Sequence, residues 1–164
     1  MKSLAIRRAL LAFLFSYIVI TALAFGLYLL IAAIMGVSQT AEFDIRHDPA
    51  YAVAERLYPI LNTFVWVGFA TWYFRTRRPA HPMREAWLLG AFWLAIAVPL
   101  DLVYFVLIPN PLQVSAEGFY IEQFPWIYLT YLVVLVSPAI AVLVSRWRKN
   151  GVWMRASRPV SLDA

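Results

Sequence analysis

The chain has 164 residues, of which 63% are hydrophobic and only 14% charged, with a formal net charge of +5. A soluble domain is about 25% charged, and one of this size could not hide so much apolar surface from water, so the solvent is largely lipid. No cysteine is present, which excludes disulfide frameworks, thiolate catalysis, cysteine-ligated metals and thiol redox exchange.

The first apolar run, Ala9 to Val37, contains no charge and exceeds the roughly 20 residues that cross a bilayer as a helix. Its basic flank (Lys2, Arg7, Arg8) and its Ala22-Leu23-Ala24 imitate a cleaved signal peptide. The run nevertheless continues well past the 7 to 15 residues or so of a signal core, so a tilted span is expected. The second run, Leu57 to Phe74, is short alone, but Asp48-Pro49 upstream makes a good helix start. Aspartate caps free backbone amides and proline suits the first helical position. The third run, Ala86 to Ile108, takes in Asp101 and closes at Pro109-Asn110-Pro111; the fourth, from Pro125 to Ser145, ends in Arg146-Trp147-Arg148-Lys149. Spans are thus expected at about 9–36, 50–74, 86–108 and 125–145, in one domain over 1–149. A short basic tail, expected to lack order, covers 150–164.

Twelve of the fourteen Lys and Arg lie in the N-terminus, the link between the second and third spans, and the C-terminus; only Arg46 and Arg56 fall on the other side. The positive-inside rule then puts both termini in the cytoplasm of a bacterial-type inner membrane. The basic charge is a topology signal, and no folded basic face is offered to nucleic acid. Aromatic residues gather where spans meet interfaces, as anchoring belts do. The fold class expected is all-α, a polytopic four-helix transmembrane bundle.

Each span carries a stripe of small or polar residues of the kind that turns a helix face inward in lipid. The stripes are Tyr17, Thr21, Ala24 and Tyr28; Glu55, Pro59, Asn62 and Trp66; Gly90, Ala97, Asp101 and Tyr104; and Thr130, Ser137, Ala141 and Ser145. Asp101 lies roughly 10 Å below one end of its span at 1.5 Å per residue, and Asn62 shares that leaflet. A carboxylate there costs up to about 3 kcal/mol on insertion scales, so a partner is expected. Arg56 is the favoured one because its long side chain can reach down along the helix. The other candidates are Asn62, Thr63 and the tyrosines at 17, 28, 104 and 131. Pro99 is expected to kink the third helix and turn Asp101 toward the bundle.

The segment GFYIEQFPWIY, Gly118 to Tyr128, reads as an interfacial hairpin plugging the bundle mouth. With Glu55 and Glu122 on the same side as Asp101, paired acid and base chemistry is conceivable. An intramembrane aspartyl enzyme, however, needs two facing aspartates, and Asp101 is alone inside a span. His47 and His81 fall on opposite sides of the membrane, which argues against a shared metal or a transmembrane haem. No phosphate loop, nucleophile elbow or zinc-protease pair appears, and no cofactor is expected. The expectation is a non-catalytic binding or assembly subunit. Its polar outer-leaflet site is made of Asp101, Asn62, Arg56, Glu55, Tyr104 and Glu122, and its partners are the lipid bilayer, a membrane protein or a second copy. The rivals are a small proton- or ion-coupled transporter and a lipid-modifying enzyme.

Overall fold

A computed structural model describes residues 4–37, 48–75, 77, 79–109 and 113–156. The long elements are α1 (Ile6–Met35), α2 (Pro49–Arg75), α3 (Pro82–Asp101) and α4 (Trp126–Ala156). Beyond Asp101 the third helix passes into a π-helical segment, Leu102–Leu107, and a second π-helical turn, Gly118–Glu122, precedes α4. The described residues contain no strand, so the protein is all-α. Ile6–Met35, Pro82–Leu107 and Trp126–Arg148 are each long and apolar enough to cross a membrane. At 27 residues α2 has the length to do so, but Glu55, Arg56, Asn62 and Thr63 dilute its apolar character.

The helix ends follow from their local chemistry. Asp48 caps α2: its Oδ1 accepts the Ala50 amide at 2.7 Å, with Pro49 in the first helical position. The other oxygen accepts the Tyr28 hydroxyl at 2.6 Å, which pins the start of α2 to α1. Gly36 ends α1 in the left-handed conformation (φ 67°), where a side chain would be strained, and the Val37 amide turns back to the Ala32 carbonyl at 3.0 Å. Pro82 opens α3. Ile108 is extended and stops the third helix before Pro109, as the residue ahead of a proline prefers.

In cross-section α1 packs on α2, α2 on α4, and α4 on α3, while α1 and α3 touch at few points. A narrow face of α1 made of Ala9, Ala12, Phe13, Ser16 and Ile20 is buried against Trp66, Ala70 and Tyr73 of α2 and Trp93 of α3. Trp66 and Trp93 meet at 5.3 Å between ring centroids, and Trp93 Nε1 donates to the Ala9 carbonyl at 2.9 Å. Gly90 brings α3 onto the backbone of α4, where a Cβ would sit 2.0 Å from the Leu135 carbonyl oxygen. Small residues permit such approach where lipid removes any hydrophobic drive between helices. Leu10, Leu14, Ile18 and Leu30 on the rest of α1 are exposed, as a lipid-facing surface requires.

Arginines cluster at one end of the bundle. Arg8 donates to the Trp72 carbonyl at 2.8 Å and lies over the Trp72 ring at 4.7 Å. Glu85, buried in the first turn of α3, accepts the Tyr73 hydroxyl at 2.7 Å and pairs with Arg77 at 2.6 Å. Arg84 and Arg146 border one shallow hollow at this end.

Two expectations change. The chain beyond Ser145 continues as helix to Ala156, because the basic run Arg146 to Lys149 prolongs α4 instead of ending it. The Gly118 to Tyr128 segment is a π-helical turn running into α4, where a hairpin was expected. The stripes largely face inward as read: Asn62, Trp66, Gly90, Ala97, Ser137 and Ala141 are buried, while Tyr104 remains 43% exposed.

Candidate functional site

Away from the arginines, the four helices splay to enclose a cavity of about 410 Å³ with Asp101 in its wall. Pro99 lies inside α3 two residues earlier and cannot donate the backbone bond expected of it. The helix changes to the wider π register immediately after Asp101. Such turns recur at functional sites.

Both carboxylate oxygens of Asp101 accept hydroxyls. Tyr17 of α1 donates to Oδ1 at 2.6 Å, and Tyr131 of α4 donates to Oδ2 at 3.0 Å. One side chain therefore ties together three helices, including the α1–α3 pair that otherwise barely touches. Arg56, the partner favoured in the sequence, is exposed on α2 and absent from the cavity wall. Two tyrosines take its place because α1 and α4 are the helices whose faces meet the Asp101 turn. Tyr120 in the link before α4 adjoins the Tyr131 hydroxyl; its phenol is held above its ordinary value, chiefly by burial and further by the Asp101 charge, against a lowering by Tyr131.

Asn62 lines the same cavity without reaching Asp101. Its amide nitrogen donates to the Tyr58 carbonyl at 2.8 Å and its oxygen accepts Trp66 Nε1 at 2.9 Å, so its polar groups are satisfied along its own helix. Tyr28, Tyr51 and Tyr58 form an edge-to-face row along the α1–α2 wall, with centroids 6.5 and 6.2 Å apart. Phe105 of the π segment stacks on Phe119 of the link at 5.5 Å and closes the opposite side. Gln123 reaches across to the Tyr51 hydroxyl at 3.2 Å. Thr21 and Phe25 on the rim are exposed, and α1 here is packed on α2 alone, so the cavity opens sideways between α1 and the π segment.

The remaining candidates lie outside this wall. Glu55 is half-buried on α2, its Oε1 without a hydrogen-bond partner. Glu122 is exposed, while its neighbour Gln123 faces the cavity. Tyr104 packs edge-on against Phe105. No second carboxylate joins Asp101 in the cavity lining, so the acid and base pair considered from the sequence is not assembled there. His81 caps α3 at the arginine end; His47 and Asp44 lie outside the described residues. Sequence reasoning missed Gln123, Phe105 and Phe119, although the dense aromatic run around Glu122 was the signal that this link closes the mouth.

Compared with protein-family models, curated proteins and solved structures, the chain matches none, and its function is argued from the cavity.

Proposed function

We propose that the protein is a small four-span protein of the cytoplasmic membrane that binds an amphiphilic small molecule in its outer leaflet, without catalysing a reaction on it. The orientation follows the positive-inside rule, with both chain termini and the arginine end in the cytoplasm. On this reading α2 is the fourth span: it sits in the bundle between α1 and α4 and its polar groups are satisfied internally or face the cavity. The observation that carries the reading is the cavity itself. Its volume of about 410 Å³ falls in the ordinary range of ligand pockets, roughly 300 to 1,000 Å³, and its walls are mostly apolar with a few convergent polar groups. A partner helix, about 10 Å wide, is too thick to enter it. The lateral opening admits a molecule already dissolved in lipid.

The test is gentle extraction of the full chain followed by intact mass spectrometry, for the wild type and for Thr130→Trp, which fills the cavity from α4. A stoichiometric small amphiphile retained by the wild type and lost from the variant is expected. An empty wild-type cavity, or an amphiphile that Thr130→Trp retains, would overturn the reading. A co-extracted protein beside an empty cavity would make the chain an assembly subunit.

A second reading rests on a separate observation. The hydroxyls of Tyr120, Tyr131 and Tyr17 converge on Asp101 from the link into the bundle, an arrangement suited to moving a proton. A proton-coupled transporter would lose transport on Asp101→Asn while keeping its fold and abundance.

A further inference from the structure

We infer that the amphiphile bound in this cavity carries a positive charge at its polar end, and that a protonated amine is the group that faces Asp101. The inference rests on the binding reading above and specifies its ligand.

Asp101 is the sole residue with a formal charge among those lining the cavity, and no Lys, Arg or His joins it there. A buried carboxylate is costly unless it is paired as well as hydrogen-bonded. The two tyrosine hydroxyls supply hydrogen bonds to Asp101, one to each oxygen, but no counter-charge. Each carboxylate offers about four acceptor positions, so two stay open for a donor that enters the cavity. A neutral alcohol could fill one of them; an ammonium fills one and also provides the missing charge.

The walls point the same way. Tyr17, Tyr51, Tyr58, Trp66, Phe105 and Phe119 all contribute to the lining, and aromatic faces attract cations most strongly where water is excluded. Anions find no donor of matching charge. The sideways opening past Thr21 and Phe25 requires the rest of the molecule to be an apolar chain or ring that travels in the bilayer. The complement of such a site is a lipophilic amine.

The experiment compares three probes of equal chain length: dodecylamine, cationic at neutral pH, dodecanol, neutral, and dodecanoate, anionic. Retention of each radiolabelled probe is measured on the immobilised full chain in maltoside micelles. Expected is retention of the amine about tenfold tighter than the alcohol, the effect of one well-placed charge interaction, with dodecanoate weakest. Asp101→Asn should bring the amine to the level of the alcohol. Thr21→Lys, which sets a fixed positive charge on the exposed rim without touching the core, should weaken the amine and spare the alcohol, and it serves if Asp101→Asn fails to fold. Equal retention of amine and alcohol, unchanged in both variants and abolished by Thr130→Trp, would overturn the charge inference and leave the binding cavity standing. Absence of retention for all three probes, or retention indifferent to Thr130→Trp, would overturn both.

Discussion

Three glycines inside helices separate close packing from mere flexibility. An added Cβ at Gly26 or Gly68 meets nothing within 4 Å, whereas at Gly90 it lies 2.0 Å from the Leu135 carbonyl oxygen, 2.9 Å from its carbon and 3.2 Å from its Cα. All three Leu135 atoms are backbone, so no side chain can swing away and α3 must move off α4 by more than an ångström. Alanine is the better helix former by about 0.5 to 1 kcal/mol. Gly26→Ala and Gly68→Ala should therefore be neutral or slightly stabilising. Gly90→Ala has the same helix gain set against overpacking, which costs roughly 1 to 3 kcal/mol, and the sign reverses to a net loss. Thermal unfolding of the three variants in one detergent, followed by near-ultraviolet signals from the buried Trp66–Trp93 pair, measures it. Because α3 also delivers Asp101 to Tyr131, Gly90→Ala should lower ligand retention in the cavity as well. A midpoint for Gly90→Ala equal to that of Gly68→Ala would refute the close approach of the two backbones.

Tyr17→Phe should destabilise the bundle more than Tyr131→Phe, since the bond lost is 2.6 Å long rather than 3.0 Å. Each loss should lie within the roughly 1.5 to 3 kcal/mol of hydrogen bonds to charged groups. The double variant should exceed the sum, because Asp101 then has neither donor, and chemical denaturation of all three closes the cycle. Asp48→Ala removes both the cap of α2 and the acceptor of Tyr28, and should cost more than the ~1 kcal/mol of a cap alone; Tyr28→Phe, which spares the cap, should cost less in the same assay. The cysteine-free chain suits single-cysteine labelling in intact cells. Arg84→Cys and Arg146→Cys should be shielded from an impermeant maleimide and Glu122→Cys accessible to it. Labelling of Arg84→Cys from outside would remove α2 from the spans.

Much of this architecture was legible because bilayer physics is blunt. Uninterrupted apolar runs announce three membrane-length helices, and Asp48-Pro49 announces the start of α2 through a local capping rule that needs no tertiary knowledge. The small residues on α1, α3 and α4 mark the inward faces for a similar reason: only they let backbones meet. Who meets Asp101 was less readable. Arg56 has the charge and the reach, yet the choice depends on the rotation of four helices about their axes, and that rotation brings Tyr17 and Tyr131 to the carboxylate while leaving Arg56 outside. The extension of α4 past Ser145 was hidden by treating a basic run as a stop, although arginine and lysine are good helix formers. Gln123 was missed beside the more conspicuous Glu122, because a single position in a helical turn decides which of two neighbours points inward.

A π-helical turn holds one residue more than an α-helical turn, and each residue of an α-helix advances the chain by about 100°. Removing one residue from Leu102–Leu107 would therefore restore ordinary winding, leave Asp101 where it is, and swing Phe105 off Phe119. The charged floor of the cavity and its aromatic side wall are in this sense independently heritable. One deletion or insertion in a six-residue stretch could reshape what the cavity admits without disturbing the carboxylate that anchors it, giving natural variation a way to change ligand size while keeping ligand charge.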